Sequence, residues 1–233
     1  VLDKSEPKYM NSSETPVYSK RRVLYGLNLA KKSKRPNIIL CEGNLDIVTL
    51  HQAGFDNAVA SMGTALTVEQ TRLLSRFTKE LVLCYDNDNA GKIATERALQ
   101  ILNGSEFSVK VLQLPRRLVD GEYIKQDADD FIKLQGPDAF ERLLNGSENG
   151  VEFRMAQIAG KYDLKDDEAR IAYCGEVSEL LASLPGAVER EIYTGRAAEA
   201  AGITAEAMKL EVQRSFKRRI AREKRAELRK DLN

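Results

Sequence analysis

Histidine is almost missing from this chain: one, His51, stands among 233 residues. A His-rich metal site and a His–His acid–base pair are thereby excluded, so any chemistry has to come from carboxylates, lysines or a thiol. Cysteine is scarce as well. Cys41, Cys84 and Cys174 are too few and too far apart for a disulfide framework or a CxxC zinc site, so zinc is not expected and a reducing, cytoplasmic setting fits. No apolar run approaches the roughly 18–20 residues that cross a bilayer, which argues against a membrane partner. The opening Val1-Leu2-Asp3-Lys4 is neither an initiator Met nor a charged-then-apolar leader, and it reads as the start of an excised piece of a soluble chain.

What is present suffices for a folded protein. With 42% hydrophobic and 30% charged residues, the chain can build one large domain or two small ones, and disorder is a poor reading. The net charge of +1 conceals a strong partition. Residues 1–35 hold nine basic and three acidic side chains, residues 214–230 hold nine and two, and positions 36–213 carry 18 basic against 29 acidic. Electropositive surfaces for a polyanion thus flank an acidic middle that would repel the same polyanion unless a cation sat in it. For the tail, a plain solvated helix is the competing reading.

The first 35 residues are polar, with Pro7, Pro16 and Asn11-Ser12-Ser13 favouring extended or turn structure before a short helix near Lys20–Leu29. Four strand-length segments follow, at Asn37–Cys41, Asn57–Ser61, Glu80–Tyr85 and Phe107–Leu114. Helical patterns alternate with them at 45–54, Thr67–Phe77 and Asn89–Leu102. Such alternation predicts right-handed crossovers and an α/β domain with a mostly parallel sheet of about four strands, covered by helices on both faces. Beyond Pro115 the β signal stops. Six helical segments from Asp127 to Arg229 predict a bundle. The expected division is a basic segment at 1–35, an α/β metal-binding domain at 36–135 and an all-α bundle at 136–233.

In open parallel sheets the functional crevice lies beyond the carboxyl ends of the strands. Acids cluster there. Glu42 follows the first strand, Asp46 lies one helical turn on, and Asp86 and Asp88 follow the third strand. If that last loop is extended, its period of two sends both carboxylates to one side and Asn87 to the other. Asp127 and Asp129 could close over the same crevice. Carboxylates so crowded need protonation or a divalent cation, and oxygen-only ligands favour Mg²⁺ or Mn²⁺, one ion or several. The chemistry this predicts is phosphoryl transfer.

Cys41-Glu42-Gly43-Asn44-Leu45-Asp46 followed by Asp86-Asn87-Asp88-Asn89-Ala90-Gly91 resembles the Toprim signature of bacterial primases, topoisomerases and some nucleases. Lys8–Pro16, Leu24-Tyr25-Gly26-Leu27, Ala58–Ala65 and Val188–Tyr193 extend the likeness to the bacterial DnaG-type DNA primases, over about residues 7–212. The resemblance implies that Glu42, Asp86 and Asp88 are catalytic metal-binding acids, with Asp46, Asp127 and Asp129 completing the acidic site. It implies that Lys8 contacts nucleotide or template. Asn11, Lys20, Arg21, Arg22, Gly43 and Gly91 join the expected nucleotide or nucleic-acid contacts; the glycines permit close backbone approach. Implied partners are a single-stranded DNA template, ribonucleoside triphosphates and an RNA primer, within the bacterial replisome. A replicative helicase would be engaged through a domain outside this chain, and the segment at 1–35 would be a remnant of the N-terminal part of the polymerase core.

Departures from the family pattern are Asn87 and Asn89 in the Asp-Gly-Asp-Arg-Ala-Gly segment, and Ala128 where proline is usual. His51, Cys41 and Cys84 read as packing residues, since no activating base for a thiol is evident. Tyr9, Tyr18 and Tyr25, interleaved with basic residues, could stack and clamp single strands. Two rivals stay open: another Toprim phosphoryl-transfer enzyme, a topoisomerase or nuclease, and a non-catalytic module binding nucleic acid or a partner.

Overall fold

The computed structural model describes residues 12–61, 65–119 and 122–231. The chain divides into two compact units after Gly150.

The first unit is built on a sheet of order β2-β1-β3-β4-β7. Strands β1 (Asn37–Cys41), β2 (Ala58–Ala60), β3 (Glu80–Leu83) and β4 (Ser108–Val111) are parallel. Helix α1 (Leu27–Ala30) precedes them, and α2 (Asn44–Gln52), α3 (Val68–Leu74) and α4 (Asn89–Leu102) make the crossovers. Ile39, Cys41, Val82 and Cys84 alternate onto one face, where Ile47, Leu50 and Phe55 meet them. Ile38, Leu40, Leu81 and Leu83, of opposite parity, are buried too. Both faces are therefore covered, which is why these strands read as continuous apolar runs.

The chain runs from β1 outward to β2 and then returns across β1 to β3. With right-handed crossovers, this reversal sends α2 and α4 to opposite faces and opens a crevice beyond the carboxyl ends of β1 and β3. The segments that leave those two strands carry Glu42 and Asp86.

Three expectations need correcting. The β signal does not end at Pro115: β5 (Arg117–Val119) and β6 (Glu122–Ile124) pair as an antiparallel hairpin, and β7 (Glu148–Asn149) adds an antiparallel edge to β4. These strands are two or three residues long, too short to display a period. The helix near Lys20–Leu29 shrinks to α1, because Tyr25 bridges Ala60 as an added strand-like contact and Gly26 takes a left-handed φ of 81°. The packing division also differs from one at residue 136. Helices α5 (Ala128–Gln135) and α6 (Pro137–Asn145) join the first core through Phe131, Phe140 and Leu144, with the Phe140 ring 4.8 Å edge-on from Phe55.

The second unit holds α7 (Gly150–Ala159) beyond its first residue, α8 (Asp167–Ala182), α9 (Ala187–Ala201) and α10 (Ala205–Asp231). Tyr173, Val177 and Leu181 of α8 share a core with Ala197 and Ala201 of α9 and with Met208 and Val212 of α10. Small alanines on α9 let it approach its neighbours closely. Part of the basic charge of α10 is spent internally: Arg214 and Arg218 reach Glu211, and Arg219 reaches Glu223 and the Ala182 carbonyl. Among the described residues no helix is long and apolar enough to cross a membrane.

Candidate metal centre

The crevice gathers its acids in two groups. Glu42 leaves β1, and Asp86 and Asp88 leave β3. Asn87 turns away, its amide donating to the Leu114 carbonyl at 2.6 Å. Asp86 and Asp88 both face Lys125, whose Nζ lies 3.3 Å from Asp86 Oδ2 and 3.2 Å from Asp88 Oδ2. Asp88 also caps α4, with Oδ1 accepting the Gly91 N–H at 2.8 Å. Burial raises Glu42 and Asp86 above the usual carboxylate range, and for Glu42 the neighbouring Asp86 adds to this. The Gly91 hydrogen bond holds Asp88 below it. Lys125 is raised in turn, first by its hydrogen bond to Asp88.

The second group surrounds the start of α5. Asp46, only 7% exposed, accepts the Gly43 N–H at 3.2 Å and, through its other oxygen, the Asp129 N–H at 3.2 Å. It ties the loop after β1 to the α5 amino terminus. Burial, then the charge of Asp127, pushes Asp46 up to about 7. Asp127 caps α5 through the Asp130 N–H at 2.7 Å. Asp129 accepts from the Thr49 hydroxyl and from Lys133 Nζ. Asp127, Asp129 and Asp130 each place one oxygen within 4.8 Å of the others, the one such cluster among the described residues. Asp86 feels both Asp88 and Asp127, which couples the two groups electrostatically.

Do these residues suit a hard cation? Glu42 Oε1 is buried and has no hydrogen-bond partner among the described residues. Such an orphaned oxygen costs on the order of 1–3 kcal/mol unless something binds it. Beside it, Asp86 and Asp88 already turn one oxygen each toward a positive charge. The donor set is all oxygen, which fits Mg²⁺ or Mn²⁺ and not zinc. Glu42 also lines a cavity of about 310 Å³, together with Ser61, Tyr85 and Arg97, where a larger anionic ligand could lie.

Several of the residues expected to bind nucleotide or nucleic acid also have a place in the protein's own structure. A β-carbon at Gly91 would lie 2.0 Å from the Asp86 carbonyl oxygen, so this glycine serves the approach of the protein's own backbone. Gly43 caps α2 in extended conformation. Lys20, Arg21 and Arg22 lie on a turn segment pinned to α3, outside the acidic groups. Lys8, Asn11 and Tyr9 lie outside the described residues. His51 hydrogen-bonds the Ala58 carbonyl at 2.9 Å, and Cys41 and Cys84 are buried. Sequence reading missed Lys125, Asp130 and Thr49. A lysine beside acids reads as a solvated charge, and its partners lie 37 and 39 residues away.

Comparison with known proteins agrees with this geometry. The family described as Toprim-like matches residues 39–132. The N-terminal domain of the DNA primase catalytic core matches residues 1–31. The DnaB-helicase binding domain of primase matches residues 151–206, which corrects the expectation that no helicase-binding segment would be found within the chain. The DNA primase of Clostridium acetobutylicum is 39% identical over 209 residues, covering 89% of this chain and 34% of that protein. The Listeria monocytogenes DNA primase is 36% identical over 215 residues, covering 91% and 33%. The chain thus spans about a third of the length of these curated relatives. Among solved structures, a DNA primase domain from Pseudomonas aeruginosa superposes with a TM-score of 0.72 at 32% identity, covering 91% of this chain and 66% of that one. A DnaG primase catalytic domain bound to single-stranded DNA gives a TM-score of 0.71 at 30% identity, covering 89% and 65%. Matches of this extent, on a fold of this kind, show that the chain belongs to the bacterial DnaG-type DNA primases.

Proposed function

We propose that this chain carries the metal-binding catalytic centre of a bacterial primase, which joins ribonucleoside triphosphates into an RNA primer on single-stranded DNA in the cytoplasmic replisome. The observation that carries the reading is the convergence of Asp86 and Asp88 on one cation beside the unpartnered buried oxygen of Glu42. Glu42, Asp86 and Asp88 would hold Mg²⁺ or Mn²⁺, and Asp127, Asp129 and Asp130 offer a second position. A bound divalent ion supplies charge stabilisation to phosphoryl oxygens. Asp46 fixes the spacing between the two groups through its paired backbone hydrogen bonds. Arg97, which lines the same cavity as Glu42, would meet phosphate charge. Lys8, Asn11, Lys20, Arg21 and Arg22 would engage the template, and α7–α9 are the proposed helicase-facing region.

The test uses the full-length primase. Template-directed incorporation of labelled ribonucleotides is expected to fall at least a hundredfold in Glu42→Gln and in Asp86→Asn, with Mn²⁺ binding lost in parallel. Incorporation untouched by Glu42→Gln would favour the non-catalytic module. DNA cleavage without primer synthesis would favour the topoisomerase or nuclease reading.

A further inference from the structure

Neither helix capping nor sheet packing accounts for the position of Lys125. It lies between β6 and α5 with 59% of its side chain exposed, yet its ammonium is drawn to two carboxylates at once. On Asp88 the oxygen it contacts is the spare one, since Oδ1 is already committed to the Gly91 N–H. A hard dication held by Asp86 and Asp88 would bind through carboxylate oxygens that here face the ammonium. It cannot share that space with an ammonium 3.2–3.3 Å away, for reasons of both volume and charge.

We propose that Lys125 is a tethered cation that holds the Asp86–Asp88 position in the ion-free protein and must swing out before a divalent ion binds. Lys125 is then a positioning residue: it keeps the two acids apart from each other's repulsion and sets the ion concentration at which the site fills. This inference rests on the metal-centre reading above. The largely exposed side chain of Lys125 makes the motion inexpensive, because leaving the acids returns the ammonium to water. Lys79 offers a comparison. It precedes β3 and pairs with Glu106, at the end of the strand away from Asp86, so its substitution removes the same charge without vacating the space between Asp86 and Asp88.

Mn²⁺ titration of the 233-residue chain, read by the electron paramagnetic resonance signal of free Mn²⁺, tests the idea. Lys125→Met is expected to tighten Mn²⁺ binding roughly five- to twentyfold. Lys125→Arg should restore affinity close to that of the parent, and Lys79→Met should change it less than twofold. Equal or weaker binding in Lys125→Met overturns the inference, as does a Lys79→Met shift as large as that of Lys125→Met. Asp86→Asn separates the two levels of argument. If it abolishes binding while Lys125→Met changes nothing, only the tethered-cation inference fails; if it leaves binding intact, the metal-centre reading fails with it.

Discussion

A β-carbon on residue 91 would meet three backbone atoms of Asp86, the carbonyl oxygen at 2.0 Å, its carbon at 2.8 Å and the amide nitrogen at 3.0 Å. None of these is the far end of a flexible side chain, so relief would require the loop after β3 to move. That loop carries both acids that face Lys125, and the Gly91 N–H caps one of them. Gly91→Ala should therefore lower stability by about 2–3 kcal/mol and weaken Mn²⁺ binding at least tenfold. Urea denaturation and Mn²⁺ titration check the two effects; unaltered Mn²⁺ affinity would show that the loop does not depend on this contact. At this scale Glu42, Asp46, Asp86 and Asp88 were legible in the sequence, because each follows an apolar strand or sits one helical turn beyond it. Lys125 was not, since its importance comes from a fold that brings position 125 beside 86 and 88. Gly91 was legible as a site of close approach, though what approaches it was not.

Between residues and whole units, a capping box joins the basic N-terminal segment to the sheet. Thr67 Oγ1 accepts the Gln70 N–H and Gln70 Oε1 accepts the Thr67 N–H, both at 3.1 Å. Beyond the ordinary box, Gln70 Nε2 donates to the Lys20 carbonyl at 3.0 Å and the Val23 carbonyl at 2.9 Å, while the Thr67 hydroxyl donates to the Arg21 carbonyl at 2.7 Å. Two side chains at the start of α3 thus clamp the segment that presents Lys20, Arg21 and Arg22. Gln70 is fully buried. Gln70→Leu keeps much of the volume but strands the Thr67 N–H and frees the segment. A loss of about 2–4 kcal/mol is expected, with faster tryptic cleavage after Lys20, Arg21 and Arg22. Cleavage at the parent rate would mean that other contacts hold the segment. The Thr67 cap was readable from sequence; its grip on residues 20–23 was not, because backbone carbonyls leave no signature in side-chain letters. The same reason hides β7, whose two residues are strand only because β4 offers them an edge.

At the scale of the whole molecule, acids gathered in the first unit make its stability depend on pH and on cations, and among the described residues the second unit has no such cluster. Burial raises Asp46 from 3.8 to about 7, and Glu42 and Asp86 are raised as well. A carboxyl whose folded value exceeds its unfolded one binds its proton more tightly in the native state. Its contribution to stability is full below the unfolded value and is lost as pH climbs through the folded one, here from about 4 to about 7 for Asp46. Asp88 and its lowered value act in the opposite sense, but only in more acid solution, as pH falls through the range where it takes up its proton. Each raised group contributes a slope of at most about 1.4 kcal/mol per pH unit. In chelator, the calorimetric transition of the first unit should therefore move to lower temperature between pH 5.5 and pH 8. Millimolar Mn²⁺ at pH 8 should reverse the loss, since an ion bound only by the folded state stabilises it by RT ln(1 + [L]/Kd), about 2.7 kcal/mol at a hundred times Kd. The transition of residues 151–233 should respond to neither change, with hydrogen exchange in α8 and α9 identifying it. A Mn²⁺ effect of equal size on both transitions would mean that the ion acts through general screening, and that the crevice beyond β1 and β3 does not hold it.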